Sequence, residues 1–164
     1  MSAMIKGMLL GAAALMMPGV AFAQTELPEN PPPSQDSAWH NRQSAALSSL
    51  KASDGWQPLP GNGRWRRVKG DGGGAHPVVT DTVRINYSGS FIDGVVFDKS
   101  DAPVEFPLNK LIKGWQLAVP MAGVGDTIEI ALPADLAYGA KGKSIIPANA
   151  TLMFTIEVLG IVKP

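Results

Sequence analysis

Over most of the C-terminal two-thirds of the chain, apolar residues recur at every second position. Val83, Ile85, Tyr87, Gly89 and Phe91 alternate with Arg84, Asn86, Ser88 and Ser90. This is the pattern of a strand with one face buried and the other wetted. Ile128, Ile130 and Leu132 repeat it against Thr127, Glu129 and Ala131. The longest run sets Leu152, Phe154, Ile156 and Val158 against Thr151, Met153, Thr155 and Glu157. Further strands are expected from Gly63 through Trp65 to Lys69 and around 103–107. Asp93-Gly94 stands between Phe91-Ile92 and Val95-Val96, the local signal for a tight hairpin.

Two segments carry a helical period. Residues 38–51 place Trp39, Ala46, Leu47 and Leu50 on a narrow stripe, with Asp36 or Ser37 as the cap. Asn109 can cap a short helix whose face holds Leu111, Ile112 and Trp115. Residues 55–63, with Pro58, Pro60, Gly61 and Asn62, read as a turn-rich connector. Five or six strands and one central short helix predict a twisted antiparallel sheet wrapped on that helix, an α+β fold.

The beginning of the chain has a different character. Lys6 is the only charge in residues 1–23, an apolar run from Gly7 to Met17 follows it, and the stretch closes on Ala21-Phe22-Ala23. That is the layout of a secretory signal peptide cut after Ala23, and the run is short of the ~20 apolar residues a spanning helix needs. The expected compartment is a bacterial periplasm or the exterior, with no membrane insertion after cleavage. Residues 24–35 (QTELPENPPPSQ) hold four prolines and read as a linker of extended, polyproline character. The expected organisation is therefore signal peptide 1–23, linker 24–35, a short helical extension with its connector over 36–62, and one domain over 63–164.

Composition narrows the chemistry. Of 164 residues, 14 are basic and 14 acidic, a balance that argues against bulk phosphate neutralisation and hence against a nucleic-acid partner. There is no cysteine, so disulfides, thiolate nucleophiles and cysteine-held metals are excluded. The 2 histidines, His40 and His76, cannot make a histidine-rich metal site. Gly142-Lys143-Ser144 lacks the glycine that a phosphate loop needs at position 137, which is alanine. Gly70–Gly74 has no helix after it to offer an anion and reads as a flexible loop. No G-x-S-x-G elbow is present, so both histidines read as solvated. Arg64, Arg66 and Arg67 read as a solvated strand edge. More informative are the aromatic residues Tyr87, Phe91, Phe97, Phe106, Trp115, Tyr138 and Phe154. Phe91 and Phe106 read as plain core. So many rings around one short helix could leave a concave apolar pocket with few polar groups.

Four stretches in order, VRINYSGSFIDGVVFDKS (83–100), LIKGWQLAV (111–119), VGDTIEIALPADLAYGA (124–140) and IIPANATLMFTIEVLGI (145–161), resemble the FKBP-type peptidyl-prolyl isomerases. The likeness spans about residues 63–164, and the preceding helix looks like a short version of the extension on bacterial secreted members. It implies an antiparallel half-barrel wrapped on one helix, with a pocket for proline. Trp115 would be the floor of that pocket. Tyr87, Phe97 and Phe154 would be walls, joined by Leu111 and Ile112. Asp98 would offer a rim carboxylate, the Ile112 backbone N–H a donor, and the Tyr138 hydroxyl a donor to a substrate carbonyl. Ile145 and Ile146 would close over the site.

Two stretches depart from the family pattern. KSDAPVEF has Val104 where an aromatic wall residue is common and lacks the usual arginine, and the loop GAKGKS after Tyr138 is trimmed. The implied activity is rotation about X-Pro bonds in exported, partly folded polypeptides, with no cofactor and no metal. Because no bond is made or broken, an aromatic site without cysteine or histidine suits it. The alternative is a module that binds proline-containing segments without turnover. The first helix is short and lacks sustained heptads, so a monomer is expected.

Overall fold

The computed structural model describes residues 35–162. The expected signal peptide and all of the expected linker except Gln35 lie outside the described residues. The architecture is a seven-stranded antiparallel sheet. Its strands are β1 (Gln57–Leu59), β2 (Gly63–Lys69), β3 (Thr82–Phe91), β4 (Val96–Lys99), β5 (Val104–Pro107), β6 (Thr127–Leu132) and β7 (Leu152–Val162). The spatial order is β1-β2-β6-β7-β3-β4, and β5 also pairs with β3. β4 and β5 thus share one side of β3, opposite Ser88–Ser90 and Thr82–Ile85 respectively.

The strand alternation falls where the pattern places it. Val83, Ile85, Ile128, Ile130, Leu132, Leu152, Ile156 and Val158 are fully buried. They form one core with Trp115 and Ala118 of the short helix α2 (Lys113–Ala118). Gly114 lets that helix sit directly on the sheet. A Cβ there would come within 2.3 Å of the Leu132 side chain.

The strand count exceeds the expected five or six because the connector contains β1. Pro58 has no N–H to give, and β1 lies at the sheet's edge, where the missing donor costs least. The first helix, α1 (Ser37–Ser48), is capped by Asp36, whose carboxylate accepts from the Trp39 N–H at 2.8 Å. It ends three residues before the expected 51. The Ser48 and Ser49 hydroxyls donate back to the Ser44 and Ala46 carbonyls, a local competition with the helix ladder. Leu50, beyond the helix, still joins Leu47, Trp56, Ala131 and Met153 in a second small core. Trp39 enters the main core, and Gln43 accepts from the Thr151 N–H at 2.8 Å, so α1 is fastened to the start of β7.

Three further expectations are corrected. Asn109 does not cap the short helix. Residues Leu108–Lys110 make a single 3-10 turn anchored by buried Leu108, the backbone is extended at Leu111 and Ile112, and the helix begins only at Lys113. Gly70–Gly74 is not a free loop. It folds onto Asp126, which accepts from the Gly72 and Gly123 N–H groups and from the Arg67 guanidinium at 2.9–3.1 Å. A Cβ at Gly70 would fall 2.0 Å from the Asp126 carboxylate. The arginines are not merely a solvated edge either. Arg67 pairs with Asp126, and Arg66 pairs with Glu129 at 2.7 Å and lies over the Trp56 ring. His76 is exposed in a loop, as expected, and its ring nitrogens also lie 2.9 Å from the Pro120 and Gly72 carbonyl oxygens.

Candidate functional site

Above the N-terminal end of α2 the sheet leaves a cavity of about 200 Å³, lined by Tyr87, Phe97, Asp98, Phe106, Lys110, Leu111, Ile112, Trp115, Tyr138, Lys143 and Phe154. Drug-sized pockets run to ~300–1,000 Å³, so this space suits one small ring rather than a large ligand. Its rings meet edge to face. Trp115 contacts Tyr87 at 5.4 Å and 77° and Phe154 at 5.3 Å and 85°. Phe97 meets Phe154 at 5.7 Å and 88°. Such contacts hold each ring by its neighbours' quadrupoles as well as by burial.

Each ring is placed by strand register. Phe154 on β7 faces Gly89 on β3, and Gly89 faces Asp98 on β4. A Cβ at Gly89 would lie 2.7 Å from Phe97 and 2.8 Å from Phe154, so the two rings close only over a glycine. Trp115 enters from the third residue of α2, and Leu111 and Ile112 come from the extended turn before it.

Few polar groups face this apolar surface. The Tyr87 hydroxyl donates to Asp98 at 2.7 Å. Burial first, then that hydrogen bond and the carboxylate's charge, push the Tyr87 phenol up to about 12. Burial, followed by the Asp98 charge, also raises the Tyr138 phenol. Both are therefore neutral hydroxyls at ordinary pH. The Trp115 indole N–H is buried and has no protein acceptor among the described residues. The Ile112 N–H, at the cap of α2, donates to no backbone carbonyl among the described residues. Asp98 is the lone carboxylate in the lining, and no cluster of three metal-ligating side chains exists among the described residues. The cavity can grip an apolar ring and present neutral donors; it offers neither a nucleophile–base pair nor a metal cage.

Eight of the ten residues expected at a site line this cavity together: Tyr87, Phe97, Asp98, Leu111, Ile112, Trp115, Tyr138 and Phe154. Two are placed elsewhere. Ile146 is buried in the main core. Ile145 is 66% exposed and lines a separate groove with Trp39, Phe91 and Pro147. The trimmed loop explains this, since the two-way backbone bridge between Lys143 and Ile146 turns the chain early and carries Ile145 outward. Conversely, Phe106 is not plain core. Its ring lies 6.1 Å from Tyr87 in the cavity wall, whereas Val104, two residues earlier on β5, is outside the lining. Lys110 and Lys143 are also new members, as is Gly89 in a supporting role.

Comparison with known proteins gives the following. Residues 73–159 match the family described as FKBP-type peptidyl-prolyl cis-trans isomerase. The chain is 45% identical over 101 residues to the FKBP-type peptidyl-prolyl cis-trans isomerase FkpA of Aeromonas hydrophila, covering 60% of this chain and 38% of that protein. It is 46% identical over 99 residues to the FKBP-type 22 kDa peptidyl-prolyl cis-trans isomerase of Escherichia coli, covering 58% and 48%. It is 40% identical over 124 residues to the outer membrane protein MIP of Legionella longbeachae, covering 73% and 52%. The chain thus spans about half the length, or less, of these relatives. Among solved structures, a peptidyl-prolyl cis-trans isomerase from Pseudomonas syringae superposes with a TM-score of 0.72 at 28% identity, covering 77% of this chain and 95% of that one.

Proposed function

The chain belongs to the FKBP-type peptidyl-prolyl cis-trans isomerase family, and on that premise we propose that it catalyses rotation about X-Pro bonds in exported, partly folded polypeptides. The observation that carries this reading is the ring-lined cavity on Trp115, sized for one small ring and bordered by neutral donors.

The chemistry follows from the amide. Rotation about a peptide bond meets a barrier of ~18–20 kcal/mol because resonance must be broken. For X-Pro the two isomers are nearly balanced, yet their exchange takes tens to hundreds of seconds. In the twisted transition state resonance is lost and charge separation falls. A cavity walled by Tyr87, Phe97, Phe106 and Phe154 withholds the water that favours the planar, more polar amide. In this reading Trp115 is the floor on which the proline ring rests. The Ile112 N–H and the Tyr138 hydroxyl hold substrate carbonyls. Asp98, fixed by Tyr87, faces the carbonyl before proline as it swings. Only contacts that tighten in the twisted form raise the rate. No cofactor is required.

The domain boundary at residue 63, a single-chain state and a periplasmic or secreted setting belong to the same proposal. The pattern of residues 1–23 supports the last, as does the name of the Legionella relative, an outer membrane protein. No helix among the described residues is long and apolar enough to cross a membrane.

The deciding experiment is X-Pro exchange on a short peptide, followed by NMR, with wild type beside Trp115→Phe and Trp115→Ala. Wild type should accelerate exchange. The alanine variant should abolish most of it, at a cost of about 3–5 kcal/mol in stability as a core truncation. The phenylalanine variant should stay folded with a reduced rate. Exchange at the uncatalysed rate in wild type would leave only a module that holds proline segments.

A further inference from the structure

Around an otherwise apolar cavity the charges are unequal. Asp98 is one negative group, with an oxygen already accepting from Tyr87. Lys110 and Lys143 are two positive groups, and neither has a carboxylate within ion-pair distance among the described residues. Lys113 and Lys141 are near them in sequence yet outside the lining.

Both lysines stand on fixed backbone. Lys110 closes the 3-10 turn anchored by buried Leu108, and the Gln116 side chain donates to the Leu111 carbonyl at 2.8 Å just beyond it. The Lys143 N–H donates to the Ile146 carbonyl at 3.0 Å, and the Ile146 N–H returns a bond at 2.9 Å. The Lys143 ammonium lies 5.6 Å from the centre of the Tyr138 ring, itself a wall of the cavity. The trimmed loop thus sets a cation beside the expected carbonyl donor. Two ammonium groups without a carboxylate partner among the described residues, carried on held backbone beside one engaged carboxylate, leave a positive rim, and such a rim attracts a negative neighbour of the bound ring.

We propose that Lys110 and Lys143 are specificity-determining residues that favour polypeptide substrates carrying an aspartate or glutamate immediately before or after the isomerising proline. This rests on the reading of the cavity as the X-Pro site and adds a preference for an acidic flanking residue over its uncharged isostere. The lysines do not touch the rotating bond. They act by attracting the flanking carboxylate, so the gain appears in kcat/KM, is screened by salt, and has the size of an exposed ion pair, about two- to fivefold.

The test uses uncharged-end peptides, acetyl-Ala-Xaa-Pro-Phe-amide with Xaa as Glu, Gln or Lys, and acetyl-Ala-Ala-Pro-Yaa-amide with Yaa as Glu or Gln. Exchange is followed by NMR at low salt and at high salt. The expected result is Glu over Gln by about two- to fivefold in at least one series, with Lys below Gln before proline and the ratios shrinking at high salt. The double variant Lys110→Gln/Lys143→Gln should bring the Glu/Gln ratio close to one. Lys51→Gln, outside the cavity, should keep it. Thermal melts check that the variants are folded. Equal rates for Glu and Gln in both series, or a ratio that survives in the double variant, overturns the proposal. If wild type turns over the Gln-Pro peptide without a charge preference, only this inference is lost. If no peptide is turned over, the isomerase reading falls with it.

Discussion

Tyr87 is the residue in which the site's physics is most concentrated. It lies on β3 with its ring against Trp115 and Phe106 and its hydroxyl on Asp98. Burial, the hydrogen bond and the carboxylate all favour the neutral phenol, which holds it up to about 12 against an ordinary 10.0. The folded state therefore keeps a proton that the unfolded chain gives up, so this contribution to stability is full below 10 and is lost as pH rises toward 12. The chain has 2 tyrosines, and the other, Tyr138, is raised as well. Alkaline absorbance titration should accordingly find no tyrosine at its ordinary value. In Asp98→Asn the Tyr87 step should move down yet stay above 10, because burial, the largest cause, is untouched. A step unmoved by that substitution would remove Asp98 as its partner. Asp98→Asn should also lower X-Pro turnover, with little change in melting temperature. Tyr138→Phe should lower kcat/KM about 5- to 10-fold, the size of one hydrogen bond of about 1–1.4 kcal/mol. A wild-type rate in Tyr138→Phe would mean that its hydroxyl holds no substrate carbonyl.

At the scale of elements, four strands (β3, β4, β5 and β7), one short helix and the turns beside them build the cavity. Gly89 sits where β3 meets both β4 and β7, and its missing Cβ is the space in which Phe97 and Phe154 close. Gly89→Ala should cost about 1–3 kcal/mol as overpacking. It should depress turnover more than a substitution of equal destabilisation elsewhere, because it moves two walls at once; unfolding curves and exchange rates on the same variant check this. The alternation on β3 was plain in the sequence, but a glycine within it could not be read as a ring seat. Its meaning depends on the register of two other strands. The start of α2 at Lys113, rather than after Asn109, has a related cause. Asn109 has the chemistry of a cap, yet burial of Leu108 and the bond from Gln116 to the Leu111 carbonyl hold residues 108–112 in a turn and an extended step. That step frees the Ile112 N–H and aims Leu111 and Ile112 at the cavity instead of leaving them on a helix face.

Across the whole molecule, Asp126 ties the glycine loop, β2 and the turn before β6 together. Burial opposes its ionised form, but bonds from the Gly123 and Gly72 N–H groups and the Arg67 guanidinium outweigh that and hold its carboxyl below the ordinary 3.8. Its stabilisation is therefore present above 3.8 and is lost as pH falls through the depressed value. Asp126→Asn should cost about 1.5–3 kcal/mol at neutral pH, the scale of hydrogen bonds to a charged group, and should flatten the acid limb of a urea-unfolding series. His76 acts in the opposite sense. Its two ring nitrogens face two carbonyl oxygens, and only the imidazolium can donate to both. The Gly72 carbonyl first, then the Pro120 carbonyl, raise it above 6.5. The stabilisation is full below 6.5 and fades as pH rises through the raised value. His76→Ala should remove that slope from the unfolding midpoint; an unchanged slope would show that the bracket is not formed in solution.

What the sequence determined by itself is what repeats locally. A period of two names a strand wherever it lies, so β3, β6 and β7 and their buried faces were legible, as were the Asp93-Gly94 turn and the rings that could line a pocket. The lack of cysteine, and with it of disulfide and thiolate chemistry, is likewise a property of the sequence alone. Tertiary structure alone decided which residues share a space. Phe106 becomes a wall, Ile145 turns outward and two lysines reach the rim because strand register and loop length bring together positions far apart in the chain. The Gly70–Gly74 segment is fixed because Asp126, more than fifty residues later, needs its N–H groups. Period reports the face of an element; proximity between elements is set only when the core packs, and the chemistry of this site depends on that proximity.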